Sequence, residues 1–102
     1  MKRTDLEKDK QVILRAFRKC KTKQELADFL DDLLTEEEIL DLAQRLKIAK
    51  LILEGETYEE ISPKIDTSTS TVSKIGQIIK YGKGSFQKIF PKQPDPIGDE
   101  KR

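Results

Sequence analysis

Thr69, Ser70, Ser73, Lys74 and Gln77 are spaced so that an α-helix would carry all of them on one face. Hydroxyls, an amide and an ammonium are compact donors and acceptors. They suit a groove lined with base edges and phosphate oxygens, such as the major groove of a duplex. The other face of that helix holds Val72, Ile75 and Ile79, spaced 3 and 4 apart, and has to be buried.

Such a helix needs a partner for its apolar face, and the preceding residues supply one. Thr57 and Glu60 form a T-x-x-E capping box, in which the hydroxyl takes the Glu60 N–H and the carboxylate reaches back. Ile61 and Ile65 follow at i, i+4, with Ser62 between them small enough to let a second helix cross closely. Asp66 tolerates the left-handed conformation that a sharp turn after Ile65 needs. Ser68 is then a good N-cap. Pro63 removes a backbone hydrogen bond and pushes Ser62 away from α, so the first helix is expected to be short or kinked. Residues 57–81 thus read as a helix-turn-helix. Two amphipathic helices alone would also describe a plain αα-hairpin. The low carboxylate content of the outer face after Asp66 favours the DNA reading.

The chain has 102 residues, room for one small domain. Apolar residues make up 35% and charged residues 38%. The core of one copy is therefore thin, and oligomerisation is the expected source of the missing burial. Net charge is only +1, which argues against a strongly basic coat, but residues 57–92 hold six Lys/Arg against three Asp/Glu. The modest positive field falls on the helix-turn-helix. One cysteine, Cys20, and no histidine exclude an intrachain disulfide and a Cys/His metal cluster. Cys20 reads as a small apolar residue of the first helix, without a histidine to activate it. No metal and no cofactor are expected. The charged start MKRTDLEKDK lacks the apolar core of a secretory signal, and no run reaches transmembrane length. The expected location is the cytoplasm, on the nucleoid, with no membrane partner.

The frame is helical throughout. Residues 4–20 place Leu6, Ile13, Ala16, Phe17 and Cys20 on one face. A second capping box, Thr22 with Glu25, starts a helix carrying Leu26, Phe29, Leu30, Leu33 and Leu34. Asp28, Asp31 and Asp32 give that helix a solvated acidic face rather than a metal site, since no hard-cation loop surrounds them. Thr35 with Glu38 starts the longest helix, to about Glu54. Its apolar arc runs through Ile39, Leu42, Ala43, Leu46, Ala49 and Leu53, with Ile48, Leu51 and Ile52 beside it. So wide an arc suits burial on two sides, as in an interlocked dimer. Gly55 stops the helix, and the short link to Thr57 ties it to the reading pair as one body. Gly82 and Gly84 break the chain again, and Ser85 is expected to cap a last short helix with Phe86, Ile89 and Phe90. The Pro-rich, charged residues 93–102 read as a disordered tail after a domain spanning 1–92. There is no period-2 strand, no phosphate-binding glycine loop and no catalytic motif. The fold class is all-α, about six helices, and the chain is not expected to be an enzyme.

The segments LAQRL-x-x-A-K (Leu42–Lys50), Gly55–Tyr58 and STSTVSK (Ser68–Lys74), in this order, resemble the tryptophan-repressor superfamily, most closely its YerC/YecD-like branch. The similarity covers roughly Leu26 to Phe90. The family is itself a standard example of helix-turn-helix docking. The resemblance implies an intertwined homodimer of six-helix subunits that acts as a double-stranded-DNA-binding transcriptional regulator, a repressor, with residues 69–80 in the major groove. By position it implies that Thr69, Ser70 and Ser73 face bases and that Thr71 and Lys80 reach phosphates. Tyr58 takes the place of a polar DNA-contacting residue. Glu59 and Ser62 stand where the family has basic residues, which puts its affinity or operator in doubt here. The alternative is a helical protein-interaction dimer that has lost DNA binding, favoured by Glu59, Glu60 and Asp66.

The resemblance also locates an effector pocket, of which Thr35 and Arg45 remain at matching positions. Lys74 replaces a second arginine and loses the flat guanidinium that stacks on an indole. Ile75 and Ile78 stand where the family has glycine and a ligand-facing serine, and are expected to fill the pocket with an apolar contact. Thr35 is equally explained by capping, and Arg45 by an ion pair. No small-molecule effector, and in particular no tryptophan, is expected.

Overall fold

The structure, a computed structural model, describes residues 3–91. Six helices follow in order: α1 Arg3–Lys19, α2 Lys23–Leu33, α3 Glu36–Leu53, α4 Tyr58–Ile65, α5 Thr69–Tyr81 and α6 Ser85–Ile89. No strand occurs among the described residues, and no described helix is long and apolar enough to cross a membrane. The fold is all-α, with the six helices that periodicity calls for. The predicted tail, 93–102, lies outside the described residues.

Helix starts follow local chemistry. Thr22 Oγ1 accepts from the Glu25 N–H at 3.0 Å, and Thr35 Oγ1 from the Glu38 N–H at 3.1 Å. The Glu38 carboxylate answers by accepting from the Thr35 N–H at 2.9 Å. Thr57 and Glu60 form the same reciprocal pair, at 3.1 and 2.9 Å. These two reciprocal boxes each satisfy two of the donors that a helix start leaves unpaired, whereas at Thr22 the Glu25 carboxylate accepts from the Lys21 N–H at 2.6 Å and the expected box is not closed. The last helix departs from expectation. Its N-cap is Gly84, without a side-chain cap bond, and Ser85 is its first helical residue.

The chain divides into two compact units, Met1–Ile39 and Leu40–Arg102. In the first, Phe17 and Phe29 meet edge to face with ring centroids 5.6 Å apart. Cys20 is a free, half-buried thiol pointing at the Ala16 carbonyl. No residue of α2 is fully buried. The second unit owns the core: Ile48, Ala49, Ile61, Val72 and Ile75 are enclosed, with Leu51, Ile52, Tyr58, Ile65, Ile79, Phe86 and Phe90 packed around them. Those residues come from α3, α4, α5 and the α6 region, so the helix pair at 57–81 is held from behind by the second half of α3.

Candidate nucleic-acid interface

Two turns of related form set the helix pair. α3 ends on Gly55 at φ 97°, with the Gly55 N–H donating to the Ile52 carbonyl and the Glu56 N–H to the Leu51 carbonyl. This is the double closure of a Schellman cap, which needs a left-handed residue. α4 ends on Asp66 at φ 60°, the one described non-glycine with positive φ. The Thr67 N–H returns to the Ser62 carbonyl at 3.0 Å, and Ser62 Oγ donates to the Thr67 carbonyl. Ser62 is therefore a turn clamp as well as a small crossing residue. Ser68 then caps α5, its Oγ accepting from the Thr71 N–H at 3.1 Å.

α4 runs eight residues with Pro63 inside it, short as expected. A proline there removes one intrahelical donor. The helix is secured from outside its own ladder. Gln44 of α3 donates from Nε2 to the Ile65 carbonyl at 3.4 Å, and Lys64 donates to the Glu56 carboxylate at 2.7 Å. That hydrogen bond raises the Lys64 pKa above its ordinary 10.5, against a smaller opposing desolvation.

α5 then presents its two faces. Val72, Ile75 and Gly76 are buried and Ile79 is half-buried against the core. Outward, Thr69, Ser70, Lys74, Gln77 and Lys80 are exposed. Ser73 is half-buried at the edge of this surface. Thr71 is also half-buried, and its hydroxyl lies 3.1 Å from Ser68 Oγ, so it shares in the cap. The sequence from Thr67 to Pro91 contains no Asp or Glu but has Lys74, Lys80, Lys83 and Lys88.

Tyr58 is placed differently from the other predicted contacts. Its side chain is half-buried and turned across α5 at Gly76. A Cβ built on Gly76 would lie 2.1 Å from Tyr58 Oη and 2.8 Å from Cζ. Gly76 is the notch that admits the ring. The sequence reading missed Gly76, and also Gln44, because both act across helix crossings rather than within a helical turn.

The effector-pocket residues divide in the same way. Thr35 is committed to its capping box, and Arg45 is exposed, 3.6 Å from the Asp41 carboxylate one helical turn away. Ile75 joins the core as expected. Ile78 does not: it is 49% exposed, because its place on α5 faces away from the core, so within one chain it fills no pocket. No group of three or more metal-competent side chains gathers among the described residues.

Comparison with known proteins places this architecture. Residues 8–94 match the family described as Trp repressor protein. The uncharacterized protein YerC of Bacillus subtilis is 39% identical over 64 residues, 63% of this chain and 62% of YerC. The match thus spans less than two thirds of that relative. The crystal structure of a TrpR like protein from Eubacterium eligens superposes with a TM-score of 0.71 at 34% identity, covering 78% of this chain and 82% of that one. The chain belongs to the Trp repressor family, in its YerC-like branch.

Proposed function

We propose that this protein is a homodimeric, sequence-specific double-stranded-DNA-binding repressor that works without a small-molecule corepressor. The observation that carries this reading is α5: one face closes the core and the other offers hydroxyls, an amide and lysines with no carboxylate. Thr69, Ser70, Ser73, Lys74 and Gln77 read base edges, and Thr71 and Lys80 hold phosphates. Tyr58, turned onto Gly76, serves the helix crossing and is left out of the contact set. The family supports regulation and duplex DNA as partner, and a cytoplasmic site of action follows.

Selection from a randomised duplex library tests this. A roughly palindromic site with half-sites about 10 base pairs apart is expected. Ser73→Ala should change preference at one position, by roughly 1–3 kcal/mol. Lys80→Ala should weaken all duplexes alike and reduce the salt slope by about one. No affinity for any duplex, or binding indifferent to salt, would reject the proposal. It would leave a helical protein-interaction dimer, to which the exposed Ile78 and the carboxylates of Glu59 and Glu60 would then belong.

The effector part rests on Ile75, buried where the resemblance places glycine. Adding tryptophan should change neither the heat of titration nor the DNA affinity.

A further inference from the structure

We infer that Tyr81 is a phosphate-backbone contact that anchors the C-terminal end of α5 on DNA; this rests on the DNA-binding reading above. Ser70, Lys74, Gln77 and Tyr81 follow at i, i+4, i+7 and i+11, so on a helix of 3.6 residues per turn they form one seam. Val72, Ile75, Gly76 and Ile79 occupy the opposite side, where the core is. Tyr81 therefore lies on the midline of the outward face, not at its edge. It is 79% exposed, more than any other large hydrophobic side chain described.

The surroundings select the occupant. No carboxylate occurs between Thr67 and Pro91, whereas Lys80 and Lys83 flank Tyr81 in sequence and Lys88 follows on α6. None of these lysines is in an ion pair among the described residues. A surface of this sign, with one aromatic on it, complements a polyanion better than an apolar partner. In a helix-turn-helix the N-terminal part of the second helix reads bases. Its far end then meets the flanking backbone, where tyrosine is an established phosphate and sugar donor. A phenol offers one O–H donor and no charge. That makes its contribution separable from a lysine's.

The test uses the full chain and the duplex recovered by selection, with a scrambled duplex beside it, across a range of salt. Tyr81→Phe removes only the O–H. It should weaken both duplexes by a similar factor, roughly 10- to 150-fold per contact for a hydrogen bond to a charged oxygen. The salt slope should stay that of the unsubstituted protein, unlike Lys80→Ala, because no counterion-releasing charge is lost. Unchanged affinity of Tyr81→Phe for a duplex that the unsubstituted protein binds would overturn this inference alone. So would a loss confined to one base-pair position, which marks base reading. A shift of the monomer–dimer balance with unchanged DNA affinity of the dimer would assign Tyr81 to the subunit interface and overturn it too. If the unsubstituted protein binds no duplex, the DNA reading itself fails and takes this one with it.

Discussion

In the second unit Ile48, Ile61 and Val72 have no exposed surface, yet in the first Val12 is 61% exposed and Leu6, Ile13, Leu14 and Leu33 are exposed as well. Both units are built from amphipathic helices, with side-chain caps at Thr22 and Thr35 in the first and at Thr57 and Ser68 in the second. The difference is closure. α4 and α5 are short, joined by a left-handed turn, and backed by α3, so their isoleucines and valines meet. α1 and α2 meet through Phe17 and Phe29 and enclose nothing fully. Apolar surface left in water at this density marks an interaction face rather than scattered exposed residues. The reading pair, with the second half of α3 behind it, encloses a core of its own, whereas the first unit, and Leu40, Leu42 and Leu46 at the start of the second, leave apolar surface open that the proposed homodimer would cover.

The sharpest way to break this contrast is to compare Leu46→Asp with Ile61→Ala. Leu46 is 40% exposed in the single chain. If that face stays in water, aspartate there costs little. In an interlocked dimer, each copy forfeits about 1.5–3 kcal/mol of leucine burial and also takes an unpaired carboxylate into the interface. Leu46→Asp should therefore abolish dimer and cooperative folding together, seen by sedimentation and circular dichroism. Leu42→Asp should behave alike. Ile61→Ala should cost about 2–5 kcal/mol through a cavity in the module. Its loss should be the same at every protein concentration, whereas dimer-dependent stability rises with concentration. A stable, folded Leu46→Asp monomer at micromolar concentration would dissolve the distinction.

A smaller effect sharpens the picture of the module from inside. Gly76→Ala places a methyl within 2.1 Å of Tyr58 Oη, so the ring has to leave its notch. Alanine is otherwise better than glycine in a helix by about 1 kcal/mol. Overpacking of about 1–3 kcal/mol outweighs that gain, so the substitution should destabilise by up to about 2 kcal/mol in urea titration. In a Tyr58→Ala background its sign should reverse, to a gain of up to about 1 kcal/mol. The same sign in both backgrounds would mean that the ring is not what Gly76 accommodates.

What could be read from the sequence follows the range of the interactions. Thr35–Glu38, Thr57–Glu60, the left-handed Asp66 and the Gly55 stop all act within five residues, and each is where periodicity and capping rules put it; at Thr22 only the hydroxyl half of the expected box forms, since the Glu25 carboxylate takes the Lys21 N–H instead. The apolar stripe of α5 was legible for the same reason, through Val72, Ile75 and Ile79. The direction of Tyr58 was not. At the first position of α4 a tyrosine reads as surface, and only the crossing of α4 on α5 brings Gly76 under it. Ile78 is expected to fill a pocket on a positional likeness, and within one chain its place on α5, away from the core, leaves it exposed. Gly84 rather than Ser85 caps α6, where a residue at φ 81° can turn the chain without a side-chain oxygen.

The smallest expected effect belongs to the ion pair that ties α4 to the link before it. Lys64 Nζ and Glu56 Oε1 are 2.7 Å apart, with Lys64 57% exposed, so solvent screens much of the attraction. The hydrogen bond to Glu56 raises the Lys64 pKa above 10.5. A group whose folded pKa is raised lends stability in full below its unfolded value and loses it as pH climbs through the folded one. Lys64→Met should therefore lower the melting temperature slightly at neutral pH, by less than Gly76→Ala does. The difference from the unsubstituted chain should shrink as pH rises from about 9 to above the raised pKa, and should also shrink with added salt. A difference that persists unchanged across that range would show that the lysine stem, packed along α4, matters more than its charge.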